Sequence, residues 1–72
     1  MRLEAGEYEV VAMDADGYHL SNQRAENMRD ARARAKQRLT DPEYKGDLHK
    51  VEIRDSSGEC QADYFVGELP VR

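Results

Sequence analysis

The chain has a single cysteine, Cys60, two prolines and no tryptophan among its 72 residues. One cysteine cannot form an internal disulfide, and no group of cysteine and histidine has the spacing of a structural zinc site. No apolar run approaches the roughly 20 residues of a membrane-spanning helix, and the first residues lack the apolar core of a signal peptide. These absences predict a soluble cytoplasmic domain that folds without metal or disulfide and has no membrane partner.

Residues that carry chemistry are also scarce. His19 and His49 lie far apart in the sequence, and Ser56 and Ser57 are typical of a polar turn because no partnered base is evident. A chain of this length buries only about 60% of the surface that its unfolded form exposes, which leaves little room for an enzyme pocket. We therefore predict a protein that is not an enzyme, with no catalytic residue, no cofactor and no metal.

Two segments have the alternating pattern of strands, and each ends in a turn that runs from Asp to Gly. Residues 7–14 are rich in strand formers, and residues 14–17 supply Asp and Gly for a tight hairpin. Residues 51–58 repeat residues 10–17, with apolar residues at the first and third positions, Asp at the fifth and Gly at the eighth. The repeat predicts two hairpins, with residues 18–20 as a short second strand whose formation the sequence leaves open.

A helix is predicted between the hairpins, over residues 21–40. Ser21 is a suitable N-cap, and Pro42 ends the helix because it cannot donate to the preceding turn. Apolar residues at spacings of three and four form one face: Ala25, Met28, Ala31, Ala35 and Leu39. The sheet residues predicted to face this helix are Val10, Ala12, Val51, Ile53, Cys60, Ala62, Tyr64 and Val66.

Together these patterns predict a single α+β domain over residues 1–72. One helix packs on an antiparallel sheet of three or four strands, in the order β-(β)-α-β-β. Residues 67–72 follow the last strand as a tail that contains Pro70, and the sequence leaves open whether this tail is flexible.

The predicted helix holds most of the positive charge. Residues 21–40 carry a net charge of +4, whereas the remainder of the chain carries −8. At about 100° per residue, Arg29, Arg32 and Lys36 form one stripe beside the apolar face, and Arg34 and Arg38 form a second on the other flank. Either stripe could bind a partner protein or the phosphates of a nucleic acid, or be paired with the chain's own carboxylates.

Two further surfaces are candidates for contact with a partner. Strand alternation sends Val11, Met13 and Phe65 to the face that the helix does not cover, where another protein or a second copy of the chain could bind. Alternatively, the three are scattered exposed residues of no special role. The other surface is acidic and consists of Glu4, Glu7, Glu9, Asp14 and Asp16, which either imitate a phosphate backbone or only add solubility.

Four segments resemble, in their order, small orphan proteins of phages and mobile elements, including some anti-CRISPR proteins. They are residues 8–11 (Tyr-Glu-Val-Val), 30–36 (Asp-Ala-Arg-Ala-Arg-Ala-Lys), 51–53 (Val-Glu-Ile) and 58–64. The resemblance implies a stoichiometric inhibitor that occludes a surface of a host nucleoprotein or nuclease in the bacterial cytoplasm. The alternative is a small nucleic-acid-binding or regulatory module that uses the Arg/Lys-rich helix, which the charge of −8 elsewhere disfavours.

Overall fold

The structure is a computed structural model that describes residues 2–44 and 46–66, so the predicted tail lies outside the described residues. Within these ranges the elements are β1 (Tyr8–Met13), β2 (His19–Ala25), α1 (Met28–Thr40), a 3₁₀ turn (Pro42–Tyr44), β3 (Lys50–Arg54) and β4 (Cys60–Phe65). The strands form one antiparallel sheet in the order β2-β1-β3-β4, with α1 packed on one face. The predicted α+β class is confirmed, in its four-stranded form.

The two hairpins close with the same turn, as their shared sequence pattern predicts. Asp14 Oδ1 accepts hydrogen bonds from the backbone N–H groups two and four residues later, both at 2.9 Å. Asp55 Oδ1 accepts the equivalent pair at 2.9 and 3.0 Å. Gly17 and Gly58 have φ angles of +88° and +89°, a left-handed conformation that glycine adopts without a steric penalty. An aspartate and a glycine at fixed positions therefore determine both turns.

The repeat extends from the turns to the whole sheet. Adding 41 to a residue number in β1 or β2 gives the corresponding position in β3 or β4, as from Val10 to Val51. Residues that pair in the first hairpin correspond in this way to residues that pair in the second. The shift in register beside each turn corresponds as well. In the central β1–β3 ladder, Val11 pairs with Glu52. These two residues are themselves 41 positions apart, so each corresponds to the other in the repeat. The pairing thus has a local two-fold relation, with its axis at Val11 and Glu52.

The N-cap of the helix lies six residues later than the cap predicted at Ser21, and this prediction was wrong. Residues 21–25 belong to β2 and pair with β1, so Ala25 is buried in the sheet instead of lying on the helical stripe. The N-cap is Asn27, whose side chain accepts a hydrogen bond from Asp30 N–H at 2.8 Å. Pairing with β1 gives the backbone of residues 21–25 its hydrogen bonds, which outweighs their weak strand propensity.

The core lies between α1 and the sheet. Ala31 and Ala35 are fully buried on the helix, while Met28 and Leu39 are partly buried at either end of the same face. The buried sheet residues of this core are Val10, Ala12, Ala25, Val51 and Ile53, with Ala62 and Tyr64 packed against them. The alanines let the helix lie close to the sheet, so the larger sheet side chains fill the core.

Two residues predicted to face the core do not belong to it. Cys60 is exposed, because it lies at the start of an edge strand where a register shift pairs it with Arg54. Val66 follows the end of β4 and is 51% exposed. Both predictions extended the strand alternation past the ends of the regular ladder.

Candidate docking surface on the helix

The two basic flanks of α1 differ in their surroundings. Arg34 Nε lies 3.1 Å from Asp30 Oδ2 one turn earlier, and Arg38 Nη1 lies 3.1 Å from Asp41 Oδ2 at the end of the helix. The pKa of Asp30 is lowered first by the backbone hydrogen bond from Glu26 and then by Arg34. The flank of Arg34 and Arg38 is therefore paired with the chain's own carboxylates, which is one of the outcomes that the sequence leaves open.

The other flank consists of Arg29, Arg32 and Lys36, named here the basic stripe. All three residues are exposed, and within the described part of the chain none of their side chains makes a hydrogen bond or ion pair. At 1.5 Å per residue the stripe extends about 10 Å along the helix. Three unpaired like charges at this spacing repel one another, so an anionic partner would stabilise them.

The described basic residues outside α1 are mostly engaged with the chain itself. Lys50 Nζ lies 2.8 Å from Glu52 Oε2, and Arg54 Nη2 lies 2.8 Å from Glu52 Oε1. Arg24 Nη2 donates a hydrogen bond to the carbonyl of Arg2 at 2.7 Å. Among these described lysines and arginines, only Arg2 has a side chain without such a contact. Among the residues that the structure describes, the positive charge available to a partner is therefore concentrated in the basic stripe.

The apolar face predicted opposite the helix is not exposed as expected. Val11 and Met13 are 0% and 5% exposed within a single chain, although they lie outside the core beneath α1. Their β3 neighbours are Glu52 and Lys50, which carry long side chains. Such side chains cover apolar surface with their stems and keep their charged ends in water. The sheet's own polar side chains thus cover the two residues that motivated a partner on this face.

Phe65, the third member of that face, is partly buried at the same side of the sheet. Its ring meets the ring of His49 edge-on, with 5.5 Å between the centroids. Lys50 Nζ lies 5.6 Å from the ring centroid, a distance at which a cation is attracted to the ring. Phe65 therefore has partners within the chain and does not extend an apolar patch.

The predicted acidic surface is largely engaged in local hydrogen bonds. Glu9 Oε2 accepts from Asn22 Nδ2 at 2.7 Å, and Glu7 Oε1 accepts from the backbone N–H of Glu4 at 2.9 Å. Asp14 holds the first turn. Structural roles within the first hairpin and the preceding turn account for these carboxylates, which leaves the basic stripe as the stronger candidate surface.

Acid should weaken the fold through Glu52. Desolvation raises the pKa of Glu52, but hydrogen bonds from Lys50 and Arg54 outweigh it and hold the pKa below its usual range. A folded-state pKa below the unfolded value stabilises the fold above the unfolded pKa, about 4.3, and this contribution is lost as the pH falls through the folded value.

We therefore expect Glu52→Gln to lose less stability than wild type between about pH 5 and pH 2. Thermal unfolding followed by circular dichroism across this range measures the effect. Glu43→Gln is the matched control, because Glu43 is exposed and its carboxylate has no described partner. Parallel acid profiles for Glu52→Gln and wild type would contradict the assignment.

Other sources of functional evidence add little. In residues 2–44 and 46–66, no three His, Cys, Asp or Glu side chains form a group that could hold a metal ion. The described helices lack the length and apolar content that a membrane crossing needs. No protein-family model matches the chain, and no curated protein or solved structure is similar to it at a significant level. Function is therefore inferred from the chain's own residues.

Proposed function

We propose that this protein is a stoichiometric binding protein whose basic stripe docks on an acidic surface of a partner protein. One observation carries the proposal: α1 has five cationic residues, of which two are paired internally and three have no partner among the described residues and lie on one exposed flank. Carboxylates of a partner would neutralise this flank, and guanidinium groups can bind carboxylates through two parallel hydrogen bonds.

A partner protein is favoured over nucleic acid because the basic stripe is short. Three phosphate contacts are few beside the roughly 6–10 that give a duplex-binding protein its strongly salt-dependent affinity, so binding of nucleic acid at physiological salt would be weak. The chain as a whole has a net charge of −4, which repels a long polyanion that extends past the stripe. A compact acidic patch about 10 Å long meets less repulsion.

The resemblance to anti-CRISPR proteins supports a narrower form of this proposal. In that form the partner is a host nucleoprotein or nuclease in the bacterial cytoplasm, and the protein blocks its surface without chemistry of its own. An exposed free thiol at Cys60 suits a reducing compartment. A homodimer through the opposite face is not part of the proposal, because Val11 and Met13 are buried within one chain.

Two single substitutions, two positions apart, test this proposal. Arg32→Gln and Arg34→Gln each remove one charge from α1, but Arg34 is already paired with Asp30 and Arg32 is not. We expect Arg32→Gln to weaken capture of the partner by up to about fivefold and Arg34→Gln to leave it near wild type.

The measurement is the amount of partner that the immobilised protein retains from bacterial lysate at low and physiological salt, with and without nuclease treatment. Equal losses in the two variants would contradict a role for the stripe. Capture that disappears after nuclease treatment would assign the surface to nucleic acid.

A further inference from the structure

The basic stripe ends beside an apolar cleft. Thr40, the last residue of α1, donates its hydroxyl to the carbonyl of Lys36 at 3.1 Å and also lines a half-open cleft of about 370 Å³. The other residues lining it are Leu39, Asp41, Pro42, Gly46, Leu48 and Val66. Because Leu39 and Thr40 follow Lys36 by three and four positions, the cleft begins one helical turn beyond the stripe.

The cleft supplies apolar area that the stripe lacks. Val66 is 51% exposed, and Leu39 and Leu48 are only partly buried against the core. Asp41 is the carboxylate in the lining, and its ion pair with Arg38 neutralises it. An apolar side chain could therefore enter the cleft without leaving an unpaired charge against it.

A partner that contacts both the basic stripe and the cleft would bind more tightly than one that contacts the stripe alone. Exposed ion pairs steer a partner and set its orientation, but they contribute little affinity. Stable interfaces usually contain a desolvated apolar or aromatic anchor surrounded by polar contacts. A partner held by the basic stripe would gain such an anchor from the cleft one turn away.

We infer that the partner presents a helical segment with three carboxylates along one face and a leucine-sized side chain one turn beyond them. The carboxylates pair with Arg29, Arg32 and Lys36, and the apolar side chain enters the cleft beside Val66. This inference rests on the proposed function and names the chemistry of the partner. Carboxylates at spacings of three and four on one helix reproduce the spacing of the stripe.

Synthetic peptides test the inference directly. The probes are alanine-based helical peptides with three glutamates on one face and a leucine one turn beyond, made in both chain directions. Binding is followed through the backbone amide signals of the ¹⁵N-labelled wild-type protein. We expect one direction to bind with shifts at Gly46, Leu48 and Val66, and the same peptide with alanine for leucine to bind about tenfold more weakly.

Two outcomes of the titrations would overturn the inference. One is equal affinity of the leucine and alanine peptides, and the other is the absence of binding by either direction up to about 1 mM. A third peptide, with glutamine for glutamate, should bind more weakly and lose its salt dependence, because only the carboxylates interact with the stripe.

Matched protein variants separate this inference from the proposed function. Val66→Glu places a carboxylate in the cleft, and Tyr18→Glu adds the same charge at the other large hydrophobic residue that is exposed in the described chain. We expect Val66→Glu to reduce peptide affinity about tenfold or more, and Tyr18→Glu to have no effect.

The combination of results decides between the hypotheses. If Arg32→Gln weakens peptide binding and Val66→Glu does not, the cleft is not part of the binding site and the proposed function still stands. Unchanged capture of the partner from lysate by Arg32→Gln would overturn the proposed function itself.

Discussion

Ile53→Ala is expected to unfold the domain or to leave it only marginally folded. Ile53 is 0% exposed, lies in β3 and is among the largest fully buried side chains described. Truncation of a buried isoleucine to alanine typically costs about 2–5 kcal/mol. A domain of this length has a total stability of about 4–10 kcal/mol, so the loss is a large fraction of it. Urea and thermal unfolding followed by circular dichroism measure the change.

Met28→Ala is the comparison for this prediction. Met28 is only partly buried at the start of α1, and methionine adapts its shape to irregular packing. Its truncation should therefore destabilise the domain less than that of Ile53, although the sequence pattern places both in the core. Wild-type melting of Ile53→Ala, or a larger loss in Met28→Ala, would contradict the packing of α1 on the sheet.

Reversing the charge of the whole basic stripe should abolish partner capture without unfolding the chain. The triple variant Arg29→Glu/Arg32→Glu/Lys36→Glu changes the net charge from −4 to −10, because each substitution changes it by two. The three residues are exposed and unpaired within the described chain, so the fold loses none of its described ion pairs. A carboxylate in place of each cation would repel an acidic partner surface.

Capture from nuclease-treated lysate and the circular dichroism spectrum are measured on the same preparation. A neutral triple variant, with glutamine at the three positions, should retain more binding than the glutamate variant because it removes attraction without adding repulsion. Unchanged capture by the glutamate variant would move the contact away from the helix. Tight, salt-sensitive binding of wild type to plain duplex DNA would support the nucleic-acid alternative.

Features that depend on short-range chemistry could be predicted from the sequence. Asp14 and Gly17 determine their turn through contacts within a few residues, and the same is true of Asp55 and Gly58. The division of the basic residues into two flanks follows from the helical period alone. A capping pattern from Asn27 to Asp30 was also present in the sequence, and it would have given the correct start of α1.

Features that depend on distant partners could not be predicted in the same way. The segment from Ser21 to Arg24 is weak in strand formers and becomes a strand because β1 supplies its hydrogen-bonding partner. Val11 and Met13 were expected to be exposed, but both are buried. Strand alternation predicts the face to which a side chain points, but it does not predict whether long side chains on the neighbouring strand cover it. Neither effect has a signal within a few residues of the chain.

The two-fold pairing of the sheet has a consequence for the kinetics of folding. Each hairpin pairs residues that are close in the chain, so both can close early and independently at a low loop-closure cost. The β1–β3 ladder joins residues about 40 positions apart and brings the two halves together. A substitution at the Val11–Glu52 pair should therefore slow the joining step, whereas one in a turn should act on a single hairpin.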